Sequence, residues 1–462
     1  MGRRRGSIAT PAVAAVFLAG CTAWNATDAC AVAPEETRVN AGADNLEFFA
    51  SPRAAAVVRD GGIFVAYVSA VSEGDTYSAV EVRLTVLDPR TGTRRALCDG
   101  NAEEIVLSDP EVRASGASVV AVDWADRPGR DPVALVGWSE TTASGERHVR
   151  VRPIDSSGCP LPLQGAPYAP VVDERTGEVD GLRLLWSDTR RAVLASFQDG
   201  RRILGAWLET DTPVSDAEVL AQETVVLGQV ASAIDGEGRV AIAWRYWDQR
   251  MLGSDEQGIR ALLLDSDGAP RPAAMADGAA PFRVNEAGDY YVYGSRTPFG
   301  VSVATEGTRI AFGWDGGDDP KIASRARIRE IDAADGVPLA FEGAPDGGPA
   351  LLDPANAGGN GSPSVAYLTD GSLLALWESV ADRGTVGRLF GPDGAVRFSG
   401  VGCDERPFPV GERADTLPGT STALLVGDRL WVFHSGDPPD DPSATAALGW
   451  RVPEADLWPG GR

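Results

Sequence analysis

Seven short apolar runs, each closing on an aromatic residue, recur along this chain: Ile63 to Tyr67, Val133 to Trp138, Ala192 to Phe197, Val240 to Trp244, Ile310 to Trp314, Leu373 to Trp377 and Leu430 to Phe433. They are spaced by roughly 45 to 70 residues, and self-similarity at such a period marks one supersecondary unit written several times. Each run is short, and most are rich in apolar, β-branched or aromatic residues, so each reads as a buried strand. In the third unit Leu182 to Trp186 competes with Ala192 to Phe197 for the same role.

After most of these runs an alternating segment leads to an Asp and then a Gly: Asp88 to Gly92, Asp155 to Gly158, Asp265 to Gly268, Asp332 to Gly336, and Asp393 with Gly394. The Asp side chain bonds its own backbone to open a turn, and Gly supplies the positive φ that closes it, so these are hairpin turns. The predicted unit is a meander of about four short antiparallel strands. No long helix is expected, because 54 glycines and 32 prolines interrupt any 3.6-residue period. Short helical turns are expected around Asp216 to Thr224.

The segment Pro363 to Trp377, Pro-x-Val-Ala-x-Leu-x-Asp-Gly followed by Leu-x-Leu-Trp, resembles the β-propeller-like repeats of secreted and surface bacterial proteins. That resemblance covers most of residues 35 to 460. It implies an all-β propeller of seven blades of four-stranded antiparallel meanders; six or eight stay open, because insertions can hide or mimic a repeat. Matching tripeptides, Arg38-Val39-Asn40 and Arg283-Val284-Asn285, suggest that the first strand belongs to the last blade and closes the ring against Ala447 to Val452.

The N-terminus carries an address. Arg3, Arg4 and Arg5 precede an apolar stretch from Ile8 to Gly20, and Leu18-Ala19-Gly20-Cys21 resembles the lipobox of bacterial lipoproteins. The stretch falls short of the ~20 residues that span a bilayer. The resemblance implies a signal peptide over 1–20, acylation of Cys21, a tether over 21–35 and a propeller domain over 36–462; an ordinary cleaved signal and an uncleaved anchor are the alternatives. Two or more acyl chains hold a protein on a bilayer where one binds reversibly. Thr22, in place of an Asp, favours the outer membrane.

Removing residues 1–20 takes away three arginines and no acid, which moves the formal charge from −24 to −27. Such a chain repels nucleic acid, whose phosphates need clustered Lys and Arg, and no nucleic-acid partner is expected. The expected partners are the bilayer, through Cys21, and an envelope protein or glycan. Besides Cys21 there are Cys30, Cys98, Cys159 and Cys403, an even set that allows three disulfide pairings. None stands in a Cys-x-x-Cys spacing, so zinc and thiol-redox motifs are missing.

Little in the sequence points to catalysis, and no catalytic residue is nominated. His148 and His434 are the two histidines, and neither accompanies a Gly-x-Ser-x-Gly setting. The Ser-x-Asp-x-Gly-x-Thr-Trp box of sialidases is also missing, and acids are too abundant to single out a glycosidase pair. Trp138, Trp244, Trp314 and Trp377 hold equivalent repeat positions and are expected in the core. Tyr246, Trp247, Tyr290 and Tyr291 lie outside the repeated pattern and, with His434, are the candidate binding residues. Two acidic loops, Asp315, Asp318 and Asp319, and Asp437, Asp440 and Asp441, are candidate ligands for calcium, which favours crowded oxygen donors. No cofactor is required by this reading. The function that fits is an extracytoplasmic binding scaffold; the alternative is a carbohydrate-binding or carbohydrate-active propeller.

Overall fold

The computed structural model describes residues 35–39, 54–57, 61–73, 76–98, 100, 102–110, 112–124, 132–161, 179–209, 214–223, 226–249, 255–276, 280–286, 300–316, 325–342, 344, 346–352, 360–379, 384–397, 408–412, 422–436 and 446–453. These residues form strands throughout, with two one-turn 3₁₀ segments at Val214–Asp216 and Ala274–Ala276.

The first strand among the described residues is β1 (Glu35–Arg38). A first meander follows in β2 (Ala54–Val57), β3 (Ile63–Glu73), β4 (Thr76–Leu87) and β5 (Glu104–Val106), and a second in β6 (Arg113–Ala121), β7 (Ala134–Thr141) and β8 (Arg147–Ile154). Next come the sheet β9 (Val179–Ser187), β10 (Ala192–Asp199), β11 (Arg202–Leu208) and β12 (Glu218–Gln222), and the sheet β13 (Val226–Ile234), β14 (Val240–Gln249), β15 (Asp255–Leu264), β16 (Pro270–Arg271) and β17 (Phe282–Arg283). β18 (Val301–Glu306), β19 (Arg309–Gly316), β20 (Arg325–Asp332) and β21 (Ala350–Leu351) form another sheet. β22 (Asn360–Tyr367), β23 (Leu373–Ser379), β24 (Gly384–Phe390), β25 (Val396–Arg397) and β26 (Phe408–Glu412) form the next. The last is β27 (Thr422–Val426), β28 (Arg429–Gly436) and β29 (Ala446–Pro453), completed by β1.

The fold is an all-β propeller. Its innermost strands touch in sequence around a ring, β2, β6, β9, β13, β18, β22 and β27, and β27 returns to β2. The expectation of seven separate blades needs correction: five blades stand as sheets of their own, while β2 to β8 make one seven-stranded sheet. The cause is a parallel contact between β4 and β6 at Val80 and Arg113, which joins the first two meanders by hydrogen bonding. A disulfide between Cys98 and Cys159 spans the same two meanders, with Cα atoms 4.9 Å apart.

Every apolar run singled out in the sequence is the second strand of a meander, and both contenders in the third unit are strands, β9 and β10. The Asp-Gly turns form as read. Asp155 Oδ1 accepts from the backbone N–H of Ser157 and of Cys159, both at 2.9 Å, and Gly158 closes the turn at φ +77°. The helical turn expected over Asp216 to Thr224 shrinks to Val214–Asp216. The rest becomes β12, because pairing with β11 satisfies its backbone groups.

Ring closure is as expected. β1 pairs antiparallel with β29, Glu35 opposite Arg451 and Arg38 opposite Leu448. Val39, just beyond β1, is fully buried in a cluster with Ile63, Tyr67, Trp431 and Phe433, so the seam is an apolar core as well as a ladder. Val39→Ala removes two methyl groups from that seam and is expected to lower stability by about 2 kcal/mol in urea titration. A silent substitution would show that the seam is open in solution.

Candidate functional face

The two ends of the ring differ. At one end the inner strands turn within two to five residues into the second strands, as at Gly427 between β27 and β28 and Gly307 between β18 and β19, except that twelve residues separate β6 from β7. At the other end lie the hairpin tips between second and third strands and the connections that carry the chain from one meander to the next. The aromatic residue of each second strand lies toward this long-connection end.

There the core is closed by polar clusters. Tyr67 on β3 lies opposite Arg83 on β4, Trp138 on β7 opposite Arg150 on β8, and Trp244 on β14 opposite Arg260 on β15. In each case a glutamate takes both the aromatic donor and the guanidinium. Glu104 accepts from the Tyr67 hydroxyl and from Arg83 Nη1, the latter at 2.6 Å. Glu140 accepts from Trp138 Nε1 at 3.0 Å and from Arg150. Glu223 accepts from Trp244 Nε1 at 3.1 Å and from Arg260 Nη1 at 2.6 Å. A buried indole N–H or phenol needs an acceptor, and a buried carboxylate needs a cation, so one glutamate meets both needs. Burial, then the nearby Glu104 charge, pushes the Tyr67 hydroxyl well above the usual tyrosine range.

Trp138, Trp244, Trp314 and Trp377 are all essentially inaccessible, as the repeat position predicts. The glutamates and their arginines escaped the sequence reading. Their signal was present, as an Arg opposite the aromatic residue in several hairpins, but the register that makes it visible comes only from the paired strands. Trp314 and Trp377 differ from the others: their buried indole nitrogens have no hydrogen-bond partner among the described residues.

The candidate residues fall in different places. Tyr246 is 1% exposed and packs under the Arg260 guanidinium, 4.1 Å from its ring centre, so the expectation that it faces a ligand is corrected: it packs in the core. Its neighbour Trp247 continues β14 opposite Gln257 of β15. Asp315 is likewise corrected from loop to strand. It is a buried residue of β19, 3.5 Å from Arg245 Nη1 of β14, and the ion pair joins two neighbouring blades. His434 belongs to β28, opposite Leu448. Cys21, Tyr290, Tyr291, Asp318, Asp319, Asp437, Asp440 and Asp441 lie outside the described residues. Among the described residues no group of three His, Cys, Asp or Glu side chains is placed to hold a metal ion.

The tight-turn end is held by arginines that reach the next blade. Arg239 donates to the Gly307 carbonyl at 3.3 Å, and Arg309, one blade on, donates to that of Gly371. Arg309 also lies 3.3 Å from Glu330, which accepts from the Tyr367 hydroxyl at 2.5 Å. Burial raises the Glu330 carboxyl above its ordinary value of 4.5, against the lowering effect of Tyr367 and Arg309, and Glu306 adds to the rise. The folded state therefore holds this proton more tightly than the unfolded chain. Its contribution to stability falls as pH rises from the ordinary value to the raised one, and is level above and below. Glu330→Gln is expected to flatten that part of the profile in urea titrations over about pH 4 to 7. An unchanged slope would assign it to another group.

No protein-family model matches the chain, and no curated protein matches it in sequence. Solved structures do. The chain is similar to polysaccharide lyase Uly1 with a TM-score of 0.50 at 10% identity, over 92% of this chain and 100% of that one. It is also similar to the GH93 α-L-arabinofuranosidase of Fusarium graminearum solved with arabinobiose, at a TM-score of 0.48 and 11% identity, over 92% and 99%. The β-propeller domain of the trilobed protease from Pyrococcus furiosus aligns at a TM-score of 0.43 and 9% identity, over 90% and 99%. At such identities the likeness concerns the fold alone.

Proposed function

We propose that this protein is a lipid-anchored binding propeller of the bacterial envelope, which presents its long-connection end to a partner. The observation that carries the reading is the register of β1. Glu35 lies opposite Arg451, and Arg451 lies opposite Trp431 in the part of β28 nearer the tight Gly427 turn. The chain therefore enters the propeller at its tight-turn end. A tether from Cys21 to Glu35 reaches at most about 50 Å when fully extended. The tight-turn end would then face the bilayer, and the long-connection end would face away from it. With a formal charge of −27 once residues 1–20 are removed, the mature chain is repelled by anionic headgroups, so the acyl chains would hold it to the membrane and its surface charge would hold it off.

The test is to purify the lipidated protein from detergent-solubilised envelopes and to identify co-purifying proteins and glycans by mass spectrometry, with Cys21→Ala as control. The native chain is expected in the membrane fraction with a partner, and the variant in the soluble extracytoplasmic fraction. Equal membrane association of both forms would refute the anchor. A protein partner would favour the scaffold, whereas glycan alone would favour the second reading, carbohydrate recognition. That reading draws on the aromatic residues at the same end and on the shared fold of a polysaccharide lyase.

A further inference from the structure

With an anchor at one end of the domain and a partner at the other, any pull on the partner reaches the membrane through the chain that enters at Glu35. The first strand to take that load is β1. It completes the last blade by pairing with β29 over four positions, from Glu35 opposite Arg451 to Arg38 opposite Leu448. Its loss would open the ring and leave β29 as an edge with unpaired backbone groups.

The direction of the load decides how well so short a ladder holds. β1 starts at the tight-turn end and runs away from it alongside β29. A pull toward the bilayer therefore acts along the strand, and all four paired positions must give way together. A pull that moved Glu35 sideways from Arg451 would break them one after another. Sliding is opposed as well. A shift by one residue turns every side chain of β1 to the opposite face of the sheet. Any shift toward the tether also drags Val39 from its place. Val39 directly follows β1 and is fully buried between the last blade and the first, in one cluster with Trp431 and Phe433 of β28, Ile63 and Val65 of β3, and Leu87 of β4. Withdrawing it would expose that apolar seam to water. Arg94, in the connection between β4 and β5, adds a tie by donating to the Arg38 carbonyl at 3.3 Å. Val39 and Arg38 lie at the end of the strand away from the tether, so a pull along the strand loads them at once and a sideways pull reaches them last.

We propose that β1, with the buried Val39 behind it, is a clasp loaded in shear, which keeps the ring closed when a partner at the long-connection end is pulled away from the membrane. This rests on the lipid-anchored reading. The test is single-molecule force spectroscopy of the mature chain, with one handle in place of Cys21 and the other at one of two points. A handle at Ser144, on the exposed tip between β7 and β8, pulls β1 along its length. A handle at position 462 pulls Glu35 sideways from Arg451, because β29 ends at Pro453, opposite Arg429 at the same tight-turn end. Rupture under load follows the unfolding rate of the ladder that is loaded, so the first event is expected at a force roughly twofold higher from Ser144 than from position 462. Val39→Ala should lower the force in the first geometry and leave it unchanged in the second. Equal forces in the two geometries of the native chain, or a Val39→Ala effect that is the same in both, would overturn the clasp. A Cys21 that carries no lipid would overturn the anchor alone, and the force measurements tell that failure apart from failure of the clasp.

Discussion

Glu223→Ala is expected to destabilise the protein by about 3 kcal/mol, among the largest effects of any single substitution at the long-connection end. The alanine removes the acceptor of a fully buried indole, Trp244 Nε1, and the counter-charge of Arg260 in one step. Breaking a buried pair by removing one member is costly because the other stays behind unpaired. Arg260 retains some solvent access, with 28% of its side chain exposed, and this places the expected loss toward the lower end of such cases. The measurement is urea unfolding followed by tryptophan fluorescence. Glu237→Ala serves as the control, because its side chain is 70% exposed beside Arg239 and should change stability by less than about 0.5 kcal/mol. Similar midpoints for the two variants would mean that Glu223 does not carry the cluster.

Reduction of the Cys98–Cys159 bond is the other large effect. The cysteines are 61 residues apart in sequence, and closing a loop of that size removes about 4 kcal/mol of chain entropy from the unfolded state at 25 °C. The bond holds the connection between β4 and β5 against the turn after β8, where Cys98 N–H also donates to the Ser157 carbonyl at 3.1 Å. Cys98→Ser is expected to lower the urea midpoint as much as reductant lowers that of the native chain, and reductant should add nothing further to the variant. A native chain indifferent to reductant would show that the pair does not form. The extracytoplasmic location proposed above is the compartment in which such a bond persists.

Much of the fold was legible because its signals are local. An apolar run that ends on an aromatic residue is a strand whichever blade it joins, and Asp155 with Gly158 makes a turn from its own side chain and its own φ. Ring closure was legible as well, since Arg38-Val39 repeats Arg283-Val284 and thereby names the strand that is missing from the last blade. The candidate site was legible only in part. Tyr246 stood out for being aromatic beyond the repeat, yet its ring is covered by Arg260, a partner that strand register alone brings to it. Asp315 stood out as the first acid of a loop, yet it ends as the buried partner of Arg245.

By itself, then, the sequence determined the second strand of each meander, the Asp-Gly turns, and that the first strand returns to the last blade. Those outcomes follow from periodicity, turn chemistry and repetition within stretches of a few residues. Only the tertiary structure decided that Cys98 meets Cys159, that β4 touches β6 and merges two meanders into one sheet, and that Glu223 serves Trp244 and Arg260 together. Each of these joins segments far apart in the chain. Such a meeting is fixed by the register and packing of whole sheets, and no local pattern encodes it.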